Sequence, residues 1–166
     1  MSAASATENL AKELEREAKT TRRFLERLPP DRLAWRPHPR SYSLGDLASH
    51  LVQCIGWPEP IFAADEYDFD PKTFRAAPSD DAGALLADFD ATAARSAAAI
   101  RGATDADLER NWSLKFKGRQ LFERPRAAVL RDFTLSHLIH HRGQLSVYLR
   151  LLDVPVPGAY GPTADE

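Results

Sequence analysis

Residues 125–152 read PRAAVLRDFTLSHLIHHRGQLSVYLRLL. Pro125 suits a first helical turn, where its missing N–H leaves no bond unmade. Asp153-Val154-Pro155-Val156-Pro157 ends the run, because proline cannot continue a helix. Between these marks Leu130, Thr134, His137, Leu138, His141, Leu145, Tyr148 and Leu152 follow a helical spacing that gathers them on one side. On a wheel of about 100° per residue with Val129 at the origin, His137 falls at about 80° and His141 at about 120°. Both lie among the apolar positions, since Leu130 falls at about 100° and Leu145 at about 160°. His140 sits on the edge of that arc at about 20°, Gln144 at about 60°, and Arg142 at about 220°, away from it.

Three more segments have helical spacing. In 7–28, Leu10, Leu14, Ala18, Thr21, Leu25 and Leu28 form a stripe that Pro29-Pro30 stops. In 44–57, with room to run to 65, Ser43 and Asp46 stand at the spacing of a capping box, ahead of Leu47, Leu51, Cys54 and Ile55. In 80–101, Leu85, Phe89, Ala93, Ser96 and Ile100 share a face, Ser79 or Asp80 is available as a cap, and Gly102 marks the end. Thr104 to Asp107 is a candidate single helical turn. Trp112, Leu114 and Phe116 alternate with polar residues ahead of Gly118, a weak hairpin signal. The expected architecture is all-α: one domain over 1–166, a four-helix bundle with a short hairpin or irregular insertion before the last helix. The long, Pro-rich connections 30–43 and 58–78 are where such a bundle changes its connectivity or builds a pocket rim.

The bulk composition agrees. The chain has 166 residues, 43% hydrophobic and 28% charged, with net charge -2. That is the profile of a globular protein. It offers no basic surface for nucleic acid and no polybasic membrane anchor. No apolar run is long enough to span a bilayer, and the first residues carry charge from Glu8 without an apolar core of a secretory signal. A cytoplasmic protein is expected. A single cysteine, Cys54, rules out an internal disulfide and a Cys-rich zinc site. With no basic neighbour in the pattern it reads as a small core residue.

The histidines carry the chemistry. Two imidazoles at i and i+4 on an inward face stack on adjacent turns and can converge on one ion. His50, beside the apolar stripe of the second helix and two turns before Trp57, is the candidate third ligand from a facing helix. His38 lies in the extended Arg36-Pro37-His38-Pro39 and fits less well; His140 reads as a flanking residue. The pattern lacks the Glu of H-E-x-x-H, which disfavours proteolysis. Three ligands would leave an open position, the mark of a catalytic site. Gln144 and Asp46 are candidates to orient the imidazoles, although Asp46 is also explained as a helix-start carboxylate. Arg142 reads as a surface or dimer-interface residue. Trp35, Trp57, Trp112 and Tyr160 read first as core, second as pocket walls, and the tail bearing Tyr160 as a lid or dimer contact.

Several segments together resemble the DinB/YfiT-like superfamily of bacterial proteins. They are Trp35-Arg36-Pro37, Ser43-Leu44-Gly45-Asp46-Leu47, His50-Leu51 with Trp57, His137-x-x-x-His141-Arg142-Gly143-Gln144-Leu145, and Val156-Pro157-Gly158-x-Tyr160-Gly161-Pro162. The last two are the most specific. The resemblance implies a four-helix bundle with an unusual connection order, often dimeric. It also implies a divalent ion, Zn or Ni, on His50, His137 and His141. Related families use this bundle for thiol-dependent transfer or isomerisation with mycothiol or bacillithiol. The expected function is therefore a metalloenzyme acting on a small molecule in detoxification or stress response, with a low-molecular-weight thiol as cosubstrate. The alternatives are a metal-dependent hydrolase that activates water and a non-enzymatic metal-binding bundle. Homodimerisation is expected; nucleic acid and membrane are not.

Overall fold

A computed structural model describes residues 4–70 and 80–166. Helix α1 (Ala6–Leu25) begins where the Ser5 hydroxyl accepts the Glu8 N–H at 3.1 Å. It ends one turn short of the expected Leu28. Ahead of Pro29 the chain tightens into i+3 bonds, Arg27 N–H to Phe24 O (3.1 Å) and Leu28 N–H to Leu25 O (3.2 Å). The residue before a proline is pushed out of the helical region, so the last turn cannot stay regular.

Helix α2 (Leu44–Gly56) opens on the anticipated capping box. Ser43 Oγ accepts the Asp46 N–H at 3.1 Å and Asp46 Oδ2 accepts the Ser43 N–H at 3.3 Å. It does not run on to 65. Pro58 has no N–H to donate, so the chain breaks at Trp57 and restarts as α3 (Pro58–Ala63) with Pro58 at its first position. Helix α4 (Ala82–Gly102) is capped by Asp81, whose Oδ1 accepts from Gly83 N–H (2.8 Å) and Ala84 N–H (3.2 Å), so Asp80 is not the cap. Ser79 lies outside the described residues. Thr104 and Asp107 form a second capping box on the short α5 (Asp105–Glu109).

The all-α expectation is corrected by a three-stranded sheet, in the order β1 (Glu66–Phe69), β2 (Asn111–Phe116), β3 (Arg119–Pro125). Strands β2 and β3 are the hairpin foreseen from the alternation. Its turn holds Lys117 at φ 50° and Gly118 at φ 76°, the left-handed pair that matches strand twist. Strand β1 falls inside the 58–78 connection. It pairs parallel with β2, Glu66 opposite Ser113 and Phe69 opposite Phe116. Four residues give little local signal, and a parallel partner 47 positions away (113 - 66) gives none.

The last expected helix is three pieces: α6 (Arg126–Val129), a π-helical stretch Leu130–Ser136, and α7 (His137–Leu151). A π-helix turns less per residue than an α-helix, so a uniform wheel carried through it accumulates error. In α7 the buried positions are Leu138, His141, Arg142, Leu145 and Leu149. Arg142 therefore faces inward, contrary to the wheel.

Two apolar clusters result. The larger joins α1, α2, α4 and α7 through Leu14, Leu25, Leu51, Phe89, Leu138 and Leu145. The smaller lies under the sheet around Trp57, Ile61, Trp112 and Val129. Trp57 and Trp112 are thus core, their rings 6.2 Å apart edge to face. The tail lies along α1 and α7. Asp165 pairs with Arg150, Glu166 with Arg23 and Arg27, and Tyr160 covers Arg142. Among the described residues, no helix is long and apolar enough to cross a membrane.

Candidate metal centre

Helices α2 and α7 face each other, and three histidines project into the seam between them. His50 and His137 approach to 3.3 Å at their Nε2 atoms. The His141 ring centroid lies 4.5 Å from that of His50 and 4.7 Å from that of His137. One ligand atom from each of His50, Cys54, His137 and His141 falls within 4.8 Å of the others, a group able to hold a divalent ion.

Two of the imidazoles are held from behind. His50 Nδ1 lies 2.8 Å from Gln53 Oε1, and His141 Nδ1 lies 2.7 Å from Gln144 Oε1. With Nδ1–H donated to a carboxamide oxygen, Nε2 of His50 and His141 presents a lone pair to the seam, the tautomer a metal requires. Nε2 of His50 meets Nε2 of His137 at 3.3 Å, so the imidazoles are close enough to share one ion, and the donor set fits a cation. Burial is the main cause that pushes the His141 pKa down to about 4. Burial and the neighbouring His50 and His140 lower that of His137. Both rings are neutral at pH 7, as ligands must be.

The structure brings together the three histidines expected to meet. Gln144 plays the orienting role foreseen for it; Asp46 does not, being engaged in the capping box. Gln53 was missed, yet its signal is present: His50-x-x-Gln53 repeats as His141-x-x-Gln144, and i, i+3 neighbours meet on a helix. His140 stays outside the ligand group, exposed, with its Nε2 3.1 Å from the Gln144 amide. His38 is exposed on the loop, accepting the Arg40 N–H at 3.1 Å. Cys54 is core, as expected, with its thiol pushed up to about 12 by burial, but its sulfur also borders the histidine group. Arg142 is corrected from surface to interior: its guanidinium donates to Glu17 Oε2 at 2.8 Å and to Thr21 Oγ1 at 3.2 Å.

Above His50 and His141 opens a cleft of about 810 Å³. The 30–43 connection forms its rim, as anticipated, pinned to α2 by Leu44 N–H to Trp35 O and Gly45 N–H to Leu33 O, both 2.8 Å. Tyr42 and Tyr148 line it, rather than the three tryptophans or Tyr160. Asp46 is the one carboxylate among the described lining residues.

The model of the DinB family matches residues 1–166. The chain belongs to the DinB family. This DinB-family chain is 29% identical to the uncharacterized protein YrdA of Bacillus subtilis (strain 168), over 96% of its own length and 90% of that protein. A crystal structure of a DinB-like protein from Bacillus cereus superposes with a TM-score of 0.73 at 24% identity, covering 91% of this chain and 95% of the other. YfiT from Bacillus subtilis superposes with a TM-score of 0.69 at 14% identity, covering 92% of each chain. YfiT is described as a probable metal-dependent hydrolase with an unusual four-helix bundle topology. At these identities the structural likeness establishes the fold.

Proposed function

We propose that this DinB-family protein is a cytoplasmic metalloenzyme of the thiol-dependent transferase or isomerase type, acting on a small molecule in detoxification or stress response. The observation that carries it is the convergence of His50, His137 and His141, two of them backed by glutamine, with His50 and His141 opening on a cleft. His50, His137 and His141 would hold a divalent ion, Zn or Ni. Such an ion, when bound, acts as a Lewis acid and lowers the pKa of a coordinated thiol or water.

The chain's own groups favour an external thiol. Its single cysteine is buried beneath the histidines with its thiol held protonated. Among the described lining residues the one carboxylate, Asp46, is engaged in the Ser43 capping box. Gln53 and Gln144 keep the imidazoles oriented, and Tyr42, against His50 at 5.5 Å between ring centroids, shields one side.

The likeness to YfiT supports a second reading, a metal-dependent hydrolase that activates water. The deciding experiment loads purified protein with one equivalent of Zn or Ni. It then assays conjugation across mycothiol, bacillithiol and glutathione beside hydrolysis of ester and amide panels. Conjugation is the expected result; hydrolysis without any thiol dependence would overturn the transferase in favour of the second reading. Homodimerisation is proposed through the outer face of α7, where Val147 and Leu151 stand exposed one turn apart. Sedimentation equilibrium should give twice the 18.5 kDa chain mass.

A further inference from the structure

The cleft over the histidines has a chemical bias of its own. Two arginines border it, Arg36 and Arg40, against one carboxylate, Asp46. Arg36 stands 4.0 Å from Asp46, a loose pair with both side chains well exposed. The Arg40 guanidinium has no ion-pair or hydrogen-bond partner among the described residues, although its backbone N–H is fixed by His38. Ser49 also borders the cleft. Ser49 is 4% exposed, and its hydroxyl is buried without a hydrogen-bond partner. A buried, unpaired hydroxyl carries a desolvation cost that a bound polar group would relieve. Tyr42 and Tyr148 supply apolar faces beside these groups.

We infer that this cleft recognises a carboxylate on the substrate or cosubstrate, held by Arg36 and Arg40 and approached by the Ser49 hydroxyl. The inference rests on the metal-and-thiol reading above and adds the class of molecule that reaches the ion. Two guanidinium groups opposed by one carboxylate leave the rim positive, in addition to the charge of any bound ion, so the cleft favours an anionic group. The planar fork of arginine accepts a carboxylate in two parallel hydrogen bonds.

The test uses cobalt-loaded protein and two probes that differ at the carboxyl group, N-acetylcysteine and its methyl ester, compared at equal thiolate concentration. Thiol binding is followed by the rise in thiolate-to-cobalt charge-transfer absorption during titration. The acid should bind about tenfold tighter than the ester, as expected for a charge-assisted contact in a half-open site. Arg40→Gln should shrink that ratio several-fold, and Arg36→Gln with Arg40→Gln should bring it close to one. Both positions are exposed, and cobalt uptake should be unchanged in each variant. Raising ionic strength should narrow the ratio in wild type, since these charges face solvent. Equal binding of acid and ester, or a preference that survives in the double variant, overturns the carboxylate site and leaves the metal reading standing. Cobalt uptake with no thiol signal overturns both the thiol reading and this inference. No cobalt uptake removes the metal centre itself.

Discussion

His141 is neutral at pH 7 because burial holds its pKa near about 4, against the opposing pull of its bond to Gln144. The unfolded chain binds a proton at this residue below about 6.5. The folded metal-free protein therefore binds fewer protons over that window, and its stability should fall as pH drops from about 6.5 toward 4. Urea melts of metal-free protein at stepped pH check this, and His141→Gln should flatten the slope. In the loaded protein the same protonation competes with the ion, so metal should be released over the acidic side of this range. His141→Ala should abolish stoichiometric uptake, whereas His140→Ala should leave one ion per chain. Gln53→Ala and Gln144→Ala should each weaken metal affinity by about 10–100-fold with the fold intact, the usual cost of losing a partner behind a ligating histidine. Chelator competition measures all four variants. Gln53 was legible only in hindsight, because a glutamine three residues after a histidine gains meaning once the histidine has a tertiary partner.

At the scale of elements, caps and breakers behaved as local chemistry dictates. Ser43 with Asp46 and Thr104 with Asp107 close capping boxes, and Pro29 and Pro58 end the helices before them. The Ser43 box also sets the first turn of the helix that carries His50. Ser43→Ala should cost about 0.5–2 kcal/mol, read as a lowered denaturation midpoint. The π-helical stretch Leu130–Ser136 is a different kind of feature. Its residues have no local signature that separates them from an α-helix, and its effect is to re-aim everything after it. Arg142 was misplaced for this reason. His137 and His141 were still placed correctly relative to each other, since both lie beyond the π segment and their spacing is an α-helical turn.

At the scale of the molecule, Arg142 ties three parts of the chain together. It pairs with Glu17 of α1 and meets the Tyr160 hydroxyl of the tail at 2.5 Å, while Tyr160 donates to Glu17 at 2.8 Å. The Arg142 and Glu17 side chains are 2% and 6% exposed. Removing one member leaves the other charge buried. Arg142→Met should therefore destabilise the protein by about 3–5 kcal/mol. Arg142→Met with Glu17→Met should recover much of that loss, and a double-mutant cycle in denaturant separates the two. Tyr160→Phe should cost less, about 1 kcal/mol, because only one hydroxyl is lost.

The amphipathic stripes, the Ser43 and Thr104 caps, the hairpin and the His137–His141 spacing were legible in the amino-acid order, because each depends on periods of two or of three to four residues along a single segment. Strand β1, the π turn and the inward course of Arg142 were not. The strand depends on β2, a partner distant in the chain, and Arg142 meets a carboxylate of α1 after the π turn has re-aimed the helix that carries it. The sequence determined that a helical bundle would carry a His50, His137 and His141 set. Only the tertiary structure decided that their Nε2 atoms converge, that Cys54 lies against them, and that an arginine-bordered cleft opens above. Those outcomes are distances between helices, which no local periodicity encodes.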